Sequence, residues 1–366
     1  MQAIYLGLMS GTSQDGVDVA AVEFGERSVN LLATRAHPFD DALRGPLNEL
    51  ALGGSASLAA IGRLDAQLGE LFARAALALL ADNPELRSHI QAIGSHGHTA
   101  WHQPPVNNEH GFTIQLGDPN IIAARTGITT VADLRRMDMA FGGQGAPLAP
   151  AFHQWLWAAP QRTRVVANLG GIANITILNG EAEVSGFDTG PGNSLLDHWA
   201  QRHLGKPYDA AGSWAQTGAL NDNLLGELMA DAYFRQPPPK STGREYFNLA
   251  RYANQVDNIP PADVARTLLE VTVQSLGDAI RTYAHNADEI ILVGGGSHND
   301  FLRQRLADYA ALNVTVSDLS GLPADWVEAA AFAWLARTRL AGGRANLPSV
   351  TGARQSTSLG GVYCPD

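Results

Sequence analysis

Cysteine is almost missing from this chain. Cys364 is the single one among 366 residues, so no internal disulfide can form and a reducing compartment is suitable. Charge is sparse, at 17% of residues, and weighted to the acidic side, with a formal net charge of −11. Nucleic-acid binding draws its affinity from Lys and Arg on phosphates, so that class of partner is not expected. Long apolar runs are also missing. The Leu71–Ala81 stretch is interrupted by Arg74 and is too short to span a bilayer, so no membrane partner is expected. Met1-Gln2-Ala3 has no basic residue, so no secretory signal is expected and the reading is a cytoplasmic protein. What remains is 45% hydrophobic content and a length sufficient for two cores.

The chain reads as two halves with a similar opening. The first predicts a strand over Ala3–Met9, a turn over Gly11–Gly16, and strands over Val17–Phe24 and Val29–Arg35. The second predicts a strand over Arg164–Asn168, a Gly170-Gly171 turn, a strand over Ile172–Leu178, the Asn179-Gly180 hairpin signal and a third strand over Val184–Phe187. Helices follow each meander. Ser57 can cap one that buries Leu64, Leu68, Leu71 and Leu79, and Asp263–His285 places Val264, Leu268, Leu276 and Ile280 on one face. Short buried strands are expected over Ala92–Ser95 and Thr129–Ala132, and a strand over Glu289–Val293 leads through Gly294-Gly295-Gly296 to a helix. A repeated meander with helices predicts an α/β protein of two duplicated domains around a cleft.

Several segments offer chemistry. The run Gly11-Thr12-Ser13-Gln14-Asp15-Gly16-Val17-Asp18 supplies backbone N–H groups, hydroxyls and carboxylates at a strand end, a set able to hold phosphate oxygens and hydrated magnesium; it reads equally as a tight hairpin. Asn168 to Asn174, with Gly170 and Gly171, occupies the matching place in the second half. Asp188 is expected at a strand end before a Gly190-Pro191-Gly192 turn, where a carboxylate can take a proton or satisfy local N–H groups. Asp133-Leu134-Arg135-Arg136 reads as a salt-bridged loop or as a carboxylate-binding site, with Arg136 the candidate. His96, His98 and His102 invite a metal reading, but no acidic or Cys residue nearby completes a ligand set, and recognition of hydroxyl or amide groups suits the loop better. Glu328 alone is an ordinary first-turn acid, and Lys240 to Glu245 is a weak phosphate-loop signal after a Pro run.

In this order the segments resemble the family of 1,6-anhydro-N-acetylmuramic acid kinases. The likeness rests on Gly7 to Ser13, Asp15 to Asp18, Gly94 to Gly97, Asp133 to Arg136, Gly142 to Pro147, Asn168 to Gly171, Gly186 to Asn193, Lys240 to Glu245, Gly294 to Gly296 and Glu328 to Leu335. It departs from the family pattern at Gln14, where Leu is usual, at His98, where Gln is usual, and at Thr189, where Cys is frequent. The resemblance implies two actin-like (ribonuclease H-like) domains with mixed sheets and flanking helices, closing on ATP with Mg2+. It implies a homodimer, and domains at 1–130 with 345–366 and at 131–344. It makes Gly11 to Asp18 the ATP phosphate loop, joined by Gly170, Gly171 and Asn174, and sets Gly294, Gly295 and Gly296 by the nucleoside. Asp188 becomes the general base and Glu328 a neighbour of sugar and water. His96, Asp133, Arg136, Gln144, Gly190, Pro191 and Asn193 become sugar contacts. The implied reaction converts anhydro-N-acetylmuramic acid, ATP and water into N-acetylmuramic acid 6-phosphate and ADP in peptidoglycan recycling. The alternatives are a kinase of the same fold acting on an ordinary sugar hydroxyl or carboxylate, an assembling or chaperone ATPase, and a glycoside hydrolase using Asp188 with Glu328.

Overall fold

A computed structural model of the chain describes residues 3–11, 16–51, 54–105, 110–180, 183–243 and 246–366. Its strands are β1 (Ile4–Ser10), β2 (Gly16–Phe24), β3 (Val29–Pro38), β4 (Ile90–Gln103), β5 (Phe112–Leu116), β6 (Thr130–Ala132), β7 (Thr163–Leu169), β8 (Ile172–Asn179), β9 (Ser185–Pro191), β10 (Glu289–Val293), β11 (Asn313–Val316) and β12 (Gly361–Tyr363). Two compact units contain them, 1–156 with 326–366, and 157–325.

Both sheets share one plan. The first runs β12-β6-β4-β1-β2-β3 with β5 on β4, and the second runs β11-β10-β7-β8-β9. In each, a three-stranded antiparallel meander continues into parallel neighbours, β4 then β6 beside β1, and β10 then β11 beside β7. The shared order and strand directions are those of the duplicated actin-like fold expected from the resemblance.

In the first unit, side-chain alternation sends the two faces of β1 to different partners. Ile4, Leu6 and Leu8 join the cluster under the Ser57-capped helix Leu58–Asp82, with Leu64, Leu68, Leu71 and Leu79. Gly7 faces the opposite way, toward the helix Val327–Leu340, and Gly94 of β4 does the same. A Cβ at Gly7 would overlap the Ala329 carbonyl oxygen, and one at Gly94 that of Phe332. Backbone therefore lies on backbone. The helix tolerates this because its buried stretch is mostly alanine, Ala329 to Ala331, Ala333 and Ala336. In the second unit the long helix Pro261–Tyr283 buries Val264, Leu268, Leu276 and Ile280 against the sheet. Its buried Glu270 is held by Arg266 at 2.7 Å and Arg305 at 3.2 Å.

Three sequence expectations shift. The units divide at 156/157 and 325/326, not at 130/131 and 344/345, because Val327–Leu340 packs on β1, β4 and β2. The short strand expected over Ala92–Ser95 is the fourteen-residue β4, whose Gly94, Gly97, His96 and His98 hide its strand character. β9 continues through Gly190 to Pro191, so Asp188 sits inside a strand, not at its end.

Gly94→Ala should cost about 3 kcal/mol in chemical denaturation, because the added methyl meets a main-chain carbonyl that cannot turn aside. Gly62→Ala, on the exposed side of Leu58–Asp82 with open space around it, should gain about 0.5–1 kcal/mol. Equal effects at the two positions would contradict the packing described.

Candidate active site

In the second unit three strands place polar residues on one rung. Asn168 of β7 pairs with Asn174 of β8, and Asn174 pairs with Asp188 of β9. The β8–β9 register slips between Ala173 and Asn174, so Gly190, not Thr189, faces Ala173. Such an irregularity re-aims neighbouring side chains. Around this rung the turns are knitted together. The N–H groups of Gly192 and Asn193 donate to the Gly171 and Gly170 carbonyls at 3.0 and 2.8 Å, and the Asn193 amide donates to the Leu169 carbonyl at 2.9 Å. Gly192 must be glycine because a Cβ would overlap the Gly170 oxygen. Gly294, at φ 80°, lies against the Asn168 side chain, and a Cβ at Gly296 would crowd Asn193. The structure thus brings Gly170, Gly171, Asn174, Asp188, Asn193 and Gly294 to Gly296 to one end of the second sheet. Pro191 is the last residue of β9, paired with Ile172, and Gly190 is buried against Phe234 and Ser275.

Asp188 is fixed from a segment that sequence reading rated weak. Its Oδ2 accepts the Thr242 N–H at 3.0 Å, its own N–H donates to the Lys240 carbonyl at 3.2 Å, and the Tyr233 hydroxyl donates to its carbonyl at 2.7 Å. Among the described residues, Oδ1 accepts no hydrogen bond. Lys240 is buried, with its ammonium over the Tyr233 ring at 4.6 Å. Burial pushes the Asp188 carboxyl up to about 6, against the opposing pull of the Thr242 N–H and the Lys240 charge. A carboxylate held by one oxygen and poised near neutral pH can accept a proton. Lys240 and Tyr233 were missed as neighbours of Asp188; the only sequence signal was the basic residue after the Pro run.

In the first unit β1 ends at Ser10, whose Oγ lies 3.0 Å from His98 Nδ1. Burial depresses His98 to about 4. Thr12, Ser13, Gln14 and Asp15 lie outside the described residues, as do Arg244 and Glu245. Of the rest of that loop, Gly11 and Gly16 flank it, Asp18 is half-buried opposite Met9, and the Val17 side chain belongs to the core. Beside β4, His96 stacks near Phe332, ring centroids 4.6 Å apart, and its Nε2 accepts from Arg135 Nη2 at 2.7 Å and Nε at 3.2 Å. Burial, then Arg135, then His98 hold His96 well below the usual imidazole range, so it is neutral and its Nε2 is the acceptor. Arg135 Nη1 also donates to the Gly145 carbonyl at 2.8 Å. Burial lowers Arg135 to about 10, offset by the charges of Glu328 and Asp138, and it remains a cation. Asp138 is fully buried and ties the Gly142–Pro147 loop down through the Gly145 N–H, Asn346 and Thr351. Gln144 in that loop donates its N–H to the Thr351 carbonyl.

The arginine pair sorts differently from expectation. Asp133 takes φ 57°, after which Arg136 is exposed and bound to Asp133 at 2.8 Å, whereas Arg135 is turned to His96 and Gly145. His102 Nδ1 lies 3.0 Å from the Thr113 hydroxyl, so the three histidines have separate partners. Among the described residues no group of three His, Cys, Asp or Glu is placed to hold a metal ion.

Comparison with known proteins bears on the whole chain. The family description "Anhydro-N-acetylmuramic acid kinase" matches residues 3–365. The anhydro-N-acetylmuramic acid kinase of Aliivibrio fischeri is 49% identical over 364 residues, 98% of each chain. That of Photobacterium profundum is 47% identical over 369 residues, again 98% of each. Among solved structures, the activator of 2-hydroxyisocaproyl-CoA dehydratase from Clostridium difficile with bound ADPNP aligns over 90% of this chain and 92% of its own, at 11% identity and a TM-score of 0.46. With a family match that spans nearly every residue and relatives near half identity, the chain belongs to the anhydro-N-acetylmuramic acid kinase family.

Proposed function

We propose that the protein opens 1,6-anhydro-N-acetylmuramic acid with water and phosphorylates the released O6 from ATP. The products are N-acetylmuramic acid 6-phosphate and ADP, and the setting is cytoplasmic peptidoglycan recycling. Family membership supports the substrate. One observation supports the mechanism: Asp188 offers an oxygen with no donor among the described residues, on a carboxyl whose affinity for protons is raised toward neutral pH.

The bridged sugar has no free O6 hydroxyl, so a base cannot activate O6 directly. In this reading water attacks C1 and gives its proton to Asp188. The C1–O6 bond breaks, and O6 takes the γ-phosphoryl group as the bond from that phosphorus to ADP breaks. A positioned base contributes ~10²–10⁴-fold, and the remainder comes from orientation and charge stabilisation. The knitted glycine turns of the second unit, Gly170, Gly171 and Gly294 to Gly296, suit a nucleotide, and family membership supports Gly11, Gly16 and Asp18 of the first unit as part of the phosphate loop. Magnesium on the triphosphate would neutralise its β and γ oxygens, and it needs only one or two protein carboxylates, a demand that half-buried Asp18 fits. Family membership supports His96, Gln144 and Glu328 as the sugar residues of the first unit and Asn193, Gly190 and Pro191 as those of the second. A homodimer is part of the same proposal.

Asp188→Asn should lower kcat by about 10²-fold or more while ATP affinity, read by calorimetry, stays within a few-fold. Retention of most of the wild-type kcat would remove Asp188 as the base. In ¹⁸O-water the label should enter at C1 of the product; unlabelled sugar phosphate would point instead to direct phosphorylation of an ordinary hydroxyl. Because Asp188 must be ionised to act, kcat/KM for the sugar should fall as pH drops through about 6. A limb near 4, the range of an ordinary aspartate, would contradict the environment described.

A further inference from the structure

We propose that Lys240 is a positioning residue for the reaction, its buried ammonium being the counter-charge that keeps Asp188 ionised until the attacking water arrives; this rests on Asp188 being the base, as read above.

Lysine is rare in this chain. Of 25 Lys and Arg residues, only Lys206 and Lys240 are lysines. Lys206 is exposed and Lys240 is buried. Taking an ammonium out of water is costly unless other contacts offset the loss. Here they are few. Nζ donates to the Tyr233 carbonyl at 3.2 Å and lies over the rings of Tyr233, at 4.6 Å, and Phe187, at 5.8 Å. An ammonium has three N–H donors, and among the described residues the Tyr233 carbonyl is the one acceptor they reach. Burial lowers the proton affinity of Lys240, and the charge that opposes this is that of Asp188.

The groups that grip the ammonium also grip Asp188. Phe187 precedes it on β9. The Tyr233 hydroxyl donates to the Asp188 carbonyl, the Lys240 carbonyl accepts the Asp188 N–H, and Thr242 donates to Oδ2. The two charges are therefore held at one separation. The neighbouring charged and titratable groups have other partners. Asp231 is taken by Tyr246 and Arg251, and Arg235 turns to the Ala230 carbonyl. Burial holds the Tyr233 hydroxyl far above its usual range, so it stays neutral. On the helix Pro261–Tyr283, which packs on β9, Glu270 is held by Arg266 and Arg305, Asp278 by Arg281 and Tyr309, and Asp263 by the Ala219 N–H, while Tyr283 meets the Phe187 ring edge-on.

A fixed positive charge disfavours the protonated form of a nearby carboxyl. Lys240 thus raises the ionised fraction of Asp188 in a site whose burial favours the acid. Once Asp188 has taken the proton from water, the ammonium stands unopposed, which favours release of that proton to bulk solvent and resets the base. A compact ammonium fits the slot between two rings and a carbonyl, where a planar guanidinium does not.

The two-lysine composition supplies the test. In the full chain labelled with ¹³C at the lysine Cε, NMR should show two lysine signals, told apart with a Lys206→Arg variant. The Lys240 signal should shift as pH passes about 6, where Asp188 titrates, and Asp188→Asn should abolish that step. A flat Lys240 signal, or a step that survives in Asp188→Asn, would overturn the proposal, and neither readout needs a Lys240 variant to fold. In Lys240→Gln the acid limb of kcat/KM for the sugar should move up by about 1 pH unit, a loss of about tenfold below the limb beyond any loss on the alkaline plateau. Lys240→Arg, which keeps the charge, should leave the limb nearer its wild-type place. A uniform loss at every pH in Lys240→Gln, with the limb unmoved, would mark a merely structural residue and overturn the proposal. Full activity in Asp188→Asn, with the wild-type NMR step present, would instead overturn the base reading itself.

Discussion

Main-chain contact between elements is the constraint on which both units depend. At Gly7 and Gly94 the helix Val327–Leu340 lies directly on the first sheet, with no side chain between. Two strands and a helix far apart in sequence are thereby locked at one distance. The same device recurs in the second unit, where Gly192 lies on the Gly170 carbonyl. Glycine is used here for the atom it lacks as much as for its conformational freedom. The reward is positional. The helix that rests on Gly7 and Gly94 opens with Glu328, close enough to Arg135 for its charge to be felt there. The turns that meet at Gly192 and Gly294 frame the Asn168–Asn174–Asp188 rung.

Two different electrostatic regimes follow from this framework. Asp188 sits where burial favours its neutral form, with a single N–H and a neighbouring ammonium restraining the shift. Arg135 sits where burial also opposes charge, yet distant acids keep it ionised. One group is prepared to change its protonation state and the other to keep it.

Much of the fold was legible because apolar runs and glycine turns are local signals. Ile4 to Ser10, Ile172 to Asn179 and Glu289 to Val293 are strands by composition, and the Ser57 cap and its heptad-like leucines mark a helix. β4 was only partly legible, since its His and Gly residues are disfavoured in strands and are held there by β1 and β6 on either side. The unit boundary was not legible, because the return of Val327–Leu340 to the first sheet depends on contacts made hundreds of residues away. Of the candidate site, the glycine turns were legible from composition, whereas Asp188, expected at a strand end, lies inside β9. Which of Arg135 and Arg136 turns toward His96 could not be read. Two adjacent cations have the same composition signal, and the backbone reversal at Asp133 decides which one turns inward. The place of Lys240 was hidden for a similar reason, since it depends on the path of a proline-led loop whose Lys240 carbonyl and Thr242 N–H both meet Asp188.

The buried imidazoles of the first unit have a further effect. Burial holds His98 and His102 to about 4 and His153 to about 3, and His96 also falls far below its free value. In an unfolded chain each would take a proton near pH 6.5. Between that pH and about 4 the unfolded chain therefore binds protons that the folded unit refuses, and acidification draws the equilibrium toward unfolding. The same burial that keeps these rings neutral for hydrogen bonding makes the N-terminal lobe acid-labile, with its greatest resistance to unfolding from this source above pH 6.5.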